Sequence, residues 1–215
     1  MEIIWYGHSC FRMTERGLAT VVVDPFDSNA IGYFPLKLKS DIVAVSHDAP
    51  GHNFTNAVKG AGHILTGPGE YEIGGVFITA VQTDGNNRKK VEQPRNTLYV
   101  FDYDGLTVAH LGDLKQVPSQ AEVEALGPVN VALIPIGGGD GLNAAKAAEV
   151  VSQLEPNIII PMHYQTGDGK IDLDSLDKFI KEMGLQPIDP VPSLKVIKSG
   201  LPSESKVIVL DYQRG

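Results

Sequence analysis

Short runs of apolar and β-branched residues recur along the whole chain and predict many strands. Residues that favour turns, chiefly Gly, Pro, Asn and Asp, bound these runs. The runs are EIIWYG, CFRMTE, LATVVVDP, DIVAVS, HILTGP, GVFITAV, NTLYVFDY, LTVAHLGD, VALIPIG, NIIIPMH, LKVIKSG and KVIVLDY. Asp104-Gly105, between two of them, is typical of a two-residue hairpin turn.

Helical periodicity is concentrated in the second half of the chain. LNAAKAAEVVSQLE repeats apolar residues at helical spacing and is followed by Pro156, whereas DLDSLDKFIKEMG ends at Gly184. PSQAEVEAL predicts a third helix, and a short one is expected near residues 53–59. No repeat, linker or change of composition divides the sequence, so we expect one domain over residues 1–215, with two sheets and helices outside them.

Composition excludes several classes of protein. The formal net charge of −8 over 215 residues disfavours nucleic-acid binding, which needs clustered Lys and Arg. The one basic stretch, NNRKKVEQPR, is typical of a solvated loop and could otherwise attract a phosphorylated ligand. Cys10 is the only cysteine, no apolar run is long enough to span a bilayer, and the N-terminus does not resemble a signal peptide. These features predict a cytoplasmic protein without membrane association.

Three apolar runs end in residues that can bind metal ions. DIVAVS leads to His47, LTVAHLG leads to Asp113, and NIIIPM leads to His163, while His52 lies five residues after His47. Ligands delivered from strand ends at one edge of a sheet can converge. The alternative for each residue taken alone is a structural role, in which the side chain caps a turn or hydrogen-bonds a loop.

These segments also carry a resemblance. SHDAPGHN, HLGDL and PMHY, with the opening YGHSCF and DPF, resemble the metallo-β-lactamase superfamily in order and over nearly the whole chain. The branch is that of L-ascorbate-6-phosphate lactonase-like and uncharacterised metal-dependent hydrolases. The resemblance implies an α/β (α+β) fold, a four-layer αββα sandwich with its site at one edge. It also implies a small-molecule substrate.

The resemblance implies a reduced metal site. His47 and His52 match the first and last histidines of the HxHxDH motif, whereas Ala49 and Gly51 replace its middle histidine and its aspartate. No histidine follows GVFITAV at residues 81–90, where the family has a further ligand.

By family roles, Asp113 and His163 supply the other ligands. One metal position would keep His47 and Asp113 only, and the other would keep His52, His163 and Asp113. Three protein ligands and an open position suit a catalytic zinc ion, whereas two hold a divalent ion weakly. Asp48 or Asp84 could supply a substitute oxygen.

Several further residues have two readings. His8 and Cys10 could form a base and nucleophile pair, but a core cysteine is the favoured interpretation. His8 is alternatively a residue that faces the substrate or supports a ligand, and Tyr164 either stabilises an oxyanion or packs in the core. His110 lies three residues before Asp113, an odd separation that directs the two side chains to opposite faces of a strand. The glycine-rich segment IGGGDGLNAA is expected at the rim of the site.

The sequence therefore predicts a hydrolase of the metallo-β-lactamase fold with a depleted site, which acts on an ester, lactone or phosphoester if it is active. We expect at most one divalent metal ion, zinc first, with manganese, iron or no metal as alternatives, and Asp113 as the catalytic residue. The rival hypothesis is a noncatalytic descendant that binds a ligand or supports an assembly. The sequence leaves open whether the protein is an enzyme and whether it is a homo-oligomer.

Overall fold

Two mixed β-sheets form the centre of the computed structural model, which describes residues 1–83 and 95–214. The strands in chain order are β1 (Glu2–Trp5), β2 (Phe11–Thr14), β3 (Val21–Val23), β4 (Leu38–Lys39), β5 (Ile42–Ala44), β6 (Val58–Lys59), β7 (His63–Leu65), β8 (Gly69–Ile73), β9 (Val76–Gln82), β10 (Thr97–Tyr103), β11 (Leu106–His110), β12 (Val131–Pro135), β13 (Ile158–Met162), β14 (Leu194–Lys195) and β15 (Lys206–Val207). Asp84 and most of the basic stretch, including Arg88, Lys89 and Lys90, lie outside the described residues.

The first sheet has the strand order β14-β1-β2-β3-β5-β7, and the second has the order β15-β13-β12-β11-β10-β9-β8. A separate pair is formed by β4 and β6. The predicted hairpin joins β10 to β11, with Tyr103 opposite Leu106. Asp104 and Gly105 both have positive φ angles, 55° and 83°, as a tight primed turn requires.

The two sheets share one hydrophobic core between them. Val21 and Val23 of β3 face this core together with Tyr99 and Phe101 of β10, and all four are fully buried. The hydroxyl group of Tyr99 donates to the backbone oxygen of Val45 at 3.1 Å, which ties the second sheet to the first. This face-to-face packing is the centre of the expected αββα sandwich.

The outer face of the first sheet is covered thinly. Val22 points away from the shared core, because side chains alternate along a strand, and it belongs to a second buried cluster with Val43. Phe26, Ile31 and Tyr33 fill that cluster from the segment that holds helix α1 (Ser28–Ile31). One helical layer of the sandwich therefore consists of a four-residue helix and its flanking loops.

The other helices are α2 (Gln120–Leu126), α3 (Ala144–Leu154) and α4 (Leu176–Glu182). Each predicted helix of the second half is present. α2 begins at a capping box, in which the Ser119 hydroxyl accepts from the Glu122 N–H and the Glu122 carboxylate accepts from the Ser119 N–H. The helix expected near residues 53–59 is instead a 3₁₀ turn, Thr55–Ala57, followed by β6.

α4 starts later than its sequence pattern predicts. The N–H of Leu173 donates to the side chain of Gln165, and the N–H of Asp174 donates to the backbone oxygen of Gly137. These tertiary hydrogen bonds hold the residues before Ser175 out of the helix. None of the helices in the described part of the chain is long and apolar enough to cross a membrane.

Candidate metal centre

The candidate site lies at the edge of the sheets where several strands end in polar residues. β3 and β5 run parallel in the first sheet, and β11, β12 and β13 run parallel in the second. Asp24 follows β3, His47 follows β5, Asp113 follows β11 and His163 follows β13. His8 follows β1, which runs in the same direction as β3 because both pair antiparallel with β2. Loops at such an edge commonly build functional sites.

Five side chains at this edge form two overlapping groups that could hold a metal ion. His8, His52 and His163 make one group, and His47, His52 and Asp113 make the other. In each group, one ligand atom per residue lies within 4.8 Å of the others. The two groups adjoin, since His163 Nε2 lies 3.9 Å from Asp113 Oδ1. The structure thus gathers the four predicted ligands, adds His8 to them, and divides His52, His163 and Asp113 between two groups.

A buried carboxylate orients two of the histidines. Asp24 is fully buried, and its Oδ2 lies 2.8 Å from His52 Nδ1 and accepts a hydrogen bond from Ser46 Oγ at 2.6 Å. Because a carboxylate only accepts, His52 Nδ1 carries a proton, so Nε2 is the nitrogen that offers a lone pair when the ring is neutral. His47 Nδ1 lies 3.0 Å from Ser46 Oγ, whose own proton is already donated, so His47 Nδ1 is also a donor. Asp24 therefore orients the ring of His52 directly and the ring of His47 through Ser46. In both rings Nε2 is left free to bind a cation.

The surroundings of Asp24 keep its carboxyl group ionised. Burial raises the pKa of this carboxyl group, but electrostatic interactions with His52 and His110 and hydrogen bonds from His52 and Ser46 outweigh burial and lower the pKa to about 2. The backbone N–H of Ser46 adds a further hydrogen bond of 2.7 Å to Asp24 Oδ1. Asp24 is consequently ionised at neutral pH.

Asp113 offers an oxygen that the protein leaves unpaired. Its Oδ1 atom is buried and has no hydrogen-bond partner among the described residues. The side chain of Asn96 fixes the backbone around Asp113. Its Oδ1 accepts from the Asp113 N–H at 3.1 Å, and its amide group donates to the backbone oxygen of Leu111 at 3.0 Å. A Cβ atom at Gly141 would lie 2.9 Å from Asp113 Oδ1, which places the glycine-rich loop beside the carboxylate, as expected for the rim.

Three histidines of the site, His8, His47 and His163, are neutral at physiological pH. Burial, with a smaller contribution from the neighbouring His52, lowers the pKa of His47 and of His163 to about 4, although the charge of Asp113 opposes the shift. Burial and the surrounding histidines also hold the pKa of His8 well below its usual value. Neutral imidazoles next to two carboxylates form a site with lone pairs and negative charge, which suits a divalent cation.

Three other candidates lie in structural positions. His110 is buried, with Nε2 2.8 Å from the Ser9 oxygen and Nδ1 accepting from the Gly112 N–H at 3.1 Å, so both ring nitrogens are used by the protein. Cys10 is fully buried in the second cluster, and burial raises the pKa of its thiol well above the usual value, which opposes a nucleophilic role. His63 is exposed in β7.

Tyr164 packs on the core. Its ring lies 5.3 Å from the ring of Trp5, and burial raises the pKa of its hydroxyl group. These contacts are typical of a packed tyrosine, and the oxyanion role of Tyr164 stays a prediction.

Asp24, Ser46 and Asn96 are the residues of the site that sequence reasoning missed. Asp24 carried a usable signal, because it follows the apolar run TVVV as His47 and Asp113 follow theirs. Its φ of 49° is also unusual for a residue other than glycine, but only the structure reveals it. Asn96 is the first residue of the predicted strand run NTLYVFDY and carried no comparable signal.

The chain gathers histidine nitrogens and a carboxylate at the edge of a two-sheet sandwich. This arrangement is typical of metal-binding α/β proteins. A family model described as a beta-lactamase superfamily domain matches residues 2–163. A UPF0173 metal-dependent hydrolase of Thermoplasma acidophilum is 30% identical over 195 residues, which cover 78% of this chain and 85% of that protein. Another, from Pyrococcus abyssi, is 34% identical over 196 residues, with coverage of 77% and 85%.

A solved structure agrees with these sequence matches. The crystal structure of a candidate Zn-dependent hydrolase of the metallo-β-lactamase superfamily from Thermotoga maritima superposes with a TM-score of 0.80. It is 34% identical to this chain, and the superposition covers 99% of both chains. The chain belongs to the metallo-β-lactamase superfamily, which confirms the predicted family and its αββα fold.

Proposed function

We propose that the protein is a metal-dependent hydrolase that holds one divalent ion, zinc by preference, and acts on a small-molecule ester, lactone or phosphoester. The observation that carries the proposal is the convergence of free imidazole nitrogens on the unpaired, buried Oδ1 of Asp113. A buried carboxylate oxygen without a partner costs free energy, which a bound cation would recover. The residues therefore fit a metal ion.

The orientation of His52 supports a single ion. His52 belongs to both candidate groups, yet its Nδ1 is occupied by Asp24. Only Nε2 remains, and one lone pair binds one cation. Ions bound to the two groups at the same time would both need that atom, so the two groups support one well-held metal between them.

A divalent ion in this pocket would lower the pKa of a water molecule and polarise the carbonyl or phosphoryl group under attack. The chain's own contribution is to exclude bulk water, to fix the histidines through Asp24, and to present a carboxylate. Asp113 Oδ1, held in place through Asn96, is the group that orients the attacking water and takes its proton.

The test begins with elemental analysis of protein purified without chelators, before and after zinc titration. We expect about one zinc ion per chain, with hydrolysis of p-nitrophenyl acetate, a γ-lactone or bis-p-nitrophenyl phosphate that chelation abolishes and zinc restores. A His52→Gln variant should lose both properties, whereas His63→Ala, at an exposed position, should keep them. Failure of the unmodified chain to bind zinc, manganese or iron would refute the proposal.

A noncatalytic, ligand-binding role is the second candidate. It is favoured by Gly51, which contributes no second carboxylate to the pocket for positioning a nucleophile. Stoichiometric zinc without hydrolysis of any ester, lactone or phosphoester would support this role.

A further inference from the structure

The ring of His8 occupies the space in front of Gly51. A Cβ atom at position 51 would lie 2.6 Å from His8 Nε2 and 3.1 Å from His8 Cδ2, both within contact distance. Gly51 and His8 are therefore a matched pair, in which the absence of a side chain on one makes room for the ring of the other.

The backbone holds His8 firmly in an uncommon conformation. Its φ of 51° is in the left-handed region, which a residue other than glycine adopts at a cost. Two donors fix its carbonyl oxygen at 3.0 Å, the indole N–H of Trp5 and the backbone N–H of His163. His163 itself has a φ of 53°, so two adjoining histidines are held in this way. Such conformations concentrate at functional sites.

The ring of His8 faces the other histidines of the site and has no hydrogen-bond partner among the described residues. His8 is 2% exposed, and no hydrogen bond within residues 1–83 and 95–214 reaches its ring. The centroid of the His8 ring lies 4.1 Å from that of the His163 ring and 4.9 Å from that of the His52 ring. The neighbours of the His8 ring are thus two more imidazoles rather than a hydrogen-bond acceptor, which leaves its nitrogens available to a cation.

We propose that His8 is a metal ligand, and that the ion of the proposed function is held by one ring nitrogen each of His8, His52 and His163. The inference rests on that function and assigns its ligands. Three neutral histidines with an open position form a known type of catalytic zinc site. Asp113, whose Oδ1 lies 3.9 Å from His163 Nε2, then adjoins the ion, whose charge stabilises that unpaired oxygen without a direct bond, and the carboxylate remains free to accept a proton.

Zinc affinity and X-ray absorption spectroscopy test the ligand set. His8→Gly removes the ring, and glycine tolerates the positive φ, so we expect the variant to fold. It should bind zinc more than about 100-fold more weakly, a loss that exceeds the usual effect of removing a residue that only hydrogen-bonds a metal ligand. The number of imidazoles on zinc should fall from three to two. His47→Ala distinguishes the two candidate groups and should leave that number at three if His8 is the ligand. The exposed His63→Ala is the control and should also leave it at three.

The two proposals fail in different ways. If His8→Gly keeps three imidazoles and its affinity within about threefold, His8 is not a ligand, although the protein still binds metal. If His47→Ala removes an imidazole instead, the group of His47, His52 and Asp113 is the site. An unmodified chain that binds no zinc refutes both proposals.

A second pair of variants uses the contact with Gly51. Gly51→Asp alone should displace His8 and weaken zinc binding by more than about tenfold, because the new Cβ atom overlaps the ring. His8→Gly combined with Gly51→Asp places a carboxylate in the vacated space and should recover most of the lost affinity, with two imidazoles on zinc. Unchanged affinity in Gly51→Asp, or no recovery in the double variant, would overturn the assignment of His8.

Discussion

Replacing Asp24 with asparagine tests how the fold prepares the histidines for a cation. The substitution keeps the size of the side chain and removes its charge and one acceptor. The backbone N–H of Ser46 points at Asp24 Oδ1 and cannot rotate away, so the asparagine oxygen must stay there. The amide nitrogen then replaces Oδ2, opposite His52 Nδ1. Since an amide nitrogen donates, His52 must accept at Nδ1 and carry its proton on Nε2, where it blocks metal binding.

The structure sets the size of the effect. The two hydrogen bonds that Oδ2 accepts, from His52 and from Ser46 Oγ, change from bonds to a charged group into bonds to a neutral amide. Bonds to charged groups contribute about 1.5–3 kcal/mol and neutral ones about 0.5–1.5 kcal/mol, so the difference is about 1 kcal/mol for each bond and about 2 kcal/mol for the two. We therefore expect the free energy of unfolding of Asp24→Asn to fall by about that amount. Loss of an outer partner of a ligand typically weakens metal binding about 10–100-fold, which is the change expected in zinc affinity.

Three measurements check this prediction: urea denaturation, zinc titration and long-range proton-nitrogen NMR of the histidine rings. The NMR spectrum should show His52 change from the Nδ1-protonated to the Nε2-protonated tautomer. Asp41→Asn is a suitable control, because Asp41 accepts a backbone N–H from Thr20 at 2.8 Å next to the opposite end of β5. An Asp24→Asn protein with the original tautomer and zinc affinity within about twofold would refute the orienting role of Asp24.

Three further changes test the supports of the fold and the site. Asn96→Ala leaves two backbone groups unpaired and should lower the free energy of unfolding by about 2–4 kcal/mol in urea, while weakening zinc binding; full zinc affinity would contradict its role behind the site. Gly137→Ala places a Cβ atom 2.1 Å from the backbone oxygen of His163 and should lower the melting temperature. Gly67→Ala is the control, because its Cβ atom meets nothing within 4 Å and should leave the melting temperature unchanged. Ser119→Ala removes the cap of α2 and should lower the free energy of unfolding, measured by thermal denaturation, by about 1 kcal/mol without changing the zinc content. A smaller loss than alanine causes at an exposed serine that caps no helix would contradict the capping geometry.

The sequence by itself determined the elements that have strong local patterns. α3 has apolar residues at helical spacing and a proline just past its end, and the Asp104-Gly105 turn needs only its two residues and flanking strands. The strand ends at His47, Asp113 and His163 followed from the same reasoning, because chain direction alone places the carboxyl ends of parallel strands at one edge. β8 was not predicted, because GEYEI has few apolar or β-branched residues and only a short alternation of Glu70 and Glu72 with Tyr71 and Ile73. Its pairing with β9 decides its structure.

Only the tertiary structure decided how the residues of the site combine. Asp24 and His52 are 28 positions apart, and their hydrogen bond exists because β3 and β5 pair side by side. The contact between His8 and Gly51 joins segments that are not neighbours in the sequence, and it turns a missing side chain into room for another ligand. A sequence pattern records which groups are available and on which side of a strand they point. Distances between groups on different strands depend on the packing of the sheets, which no local pattern contains.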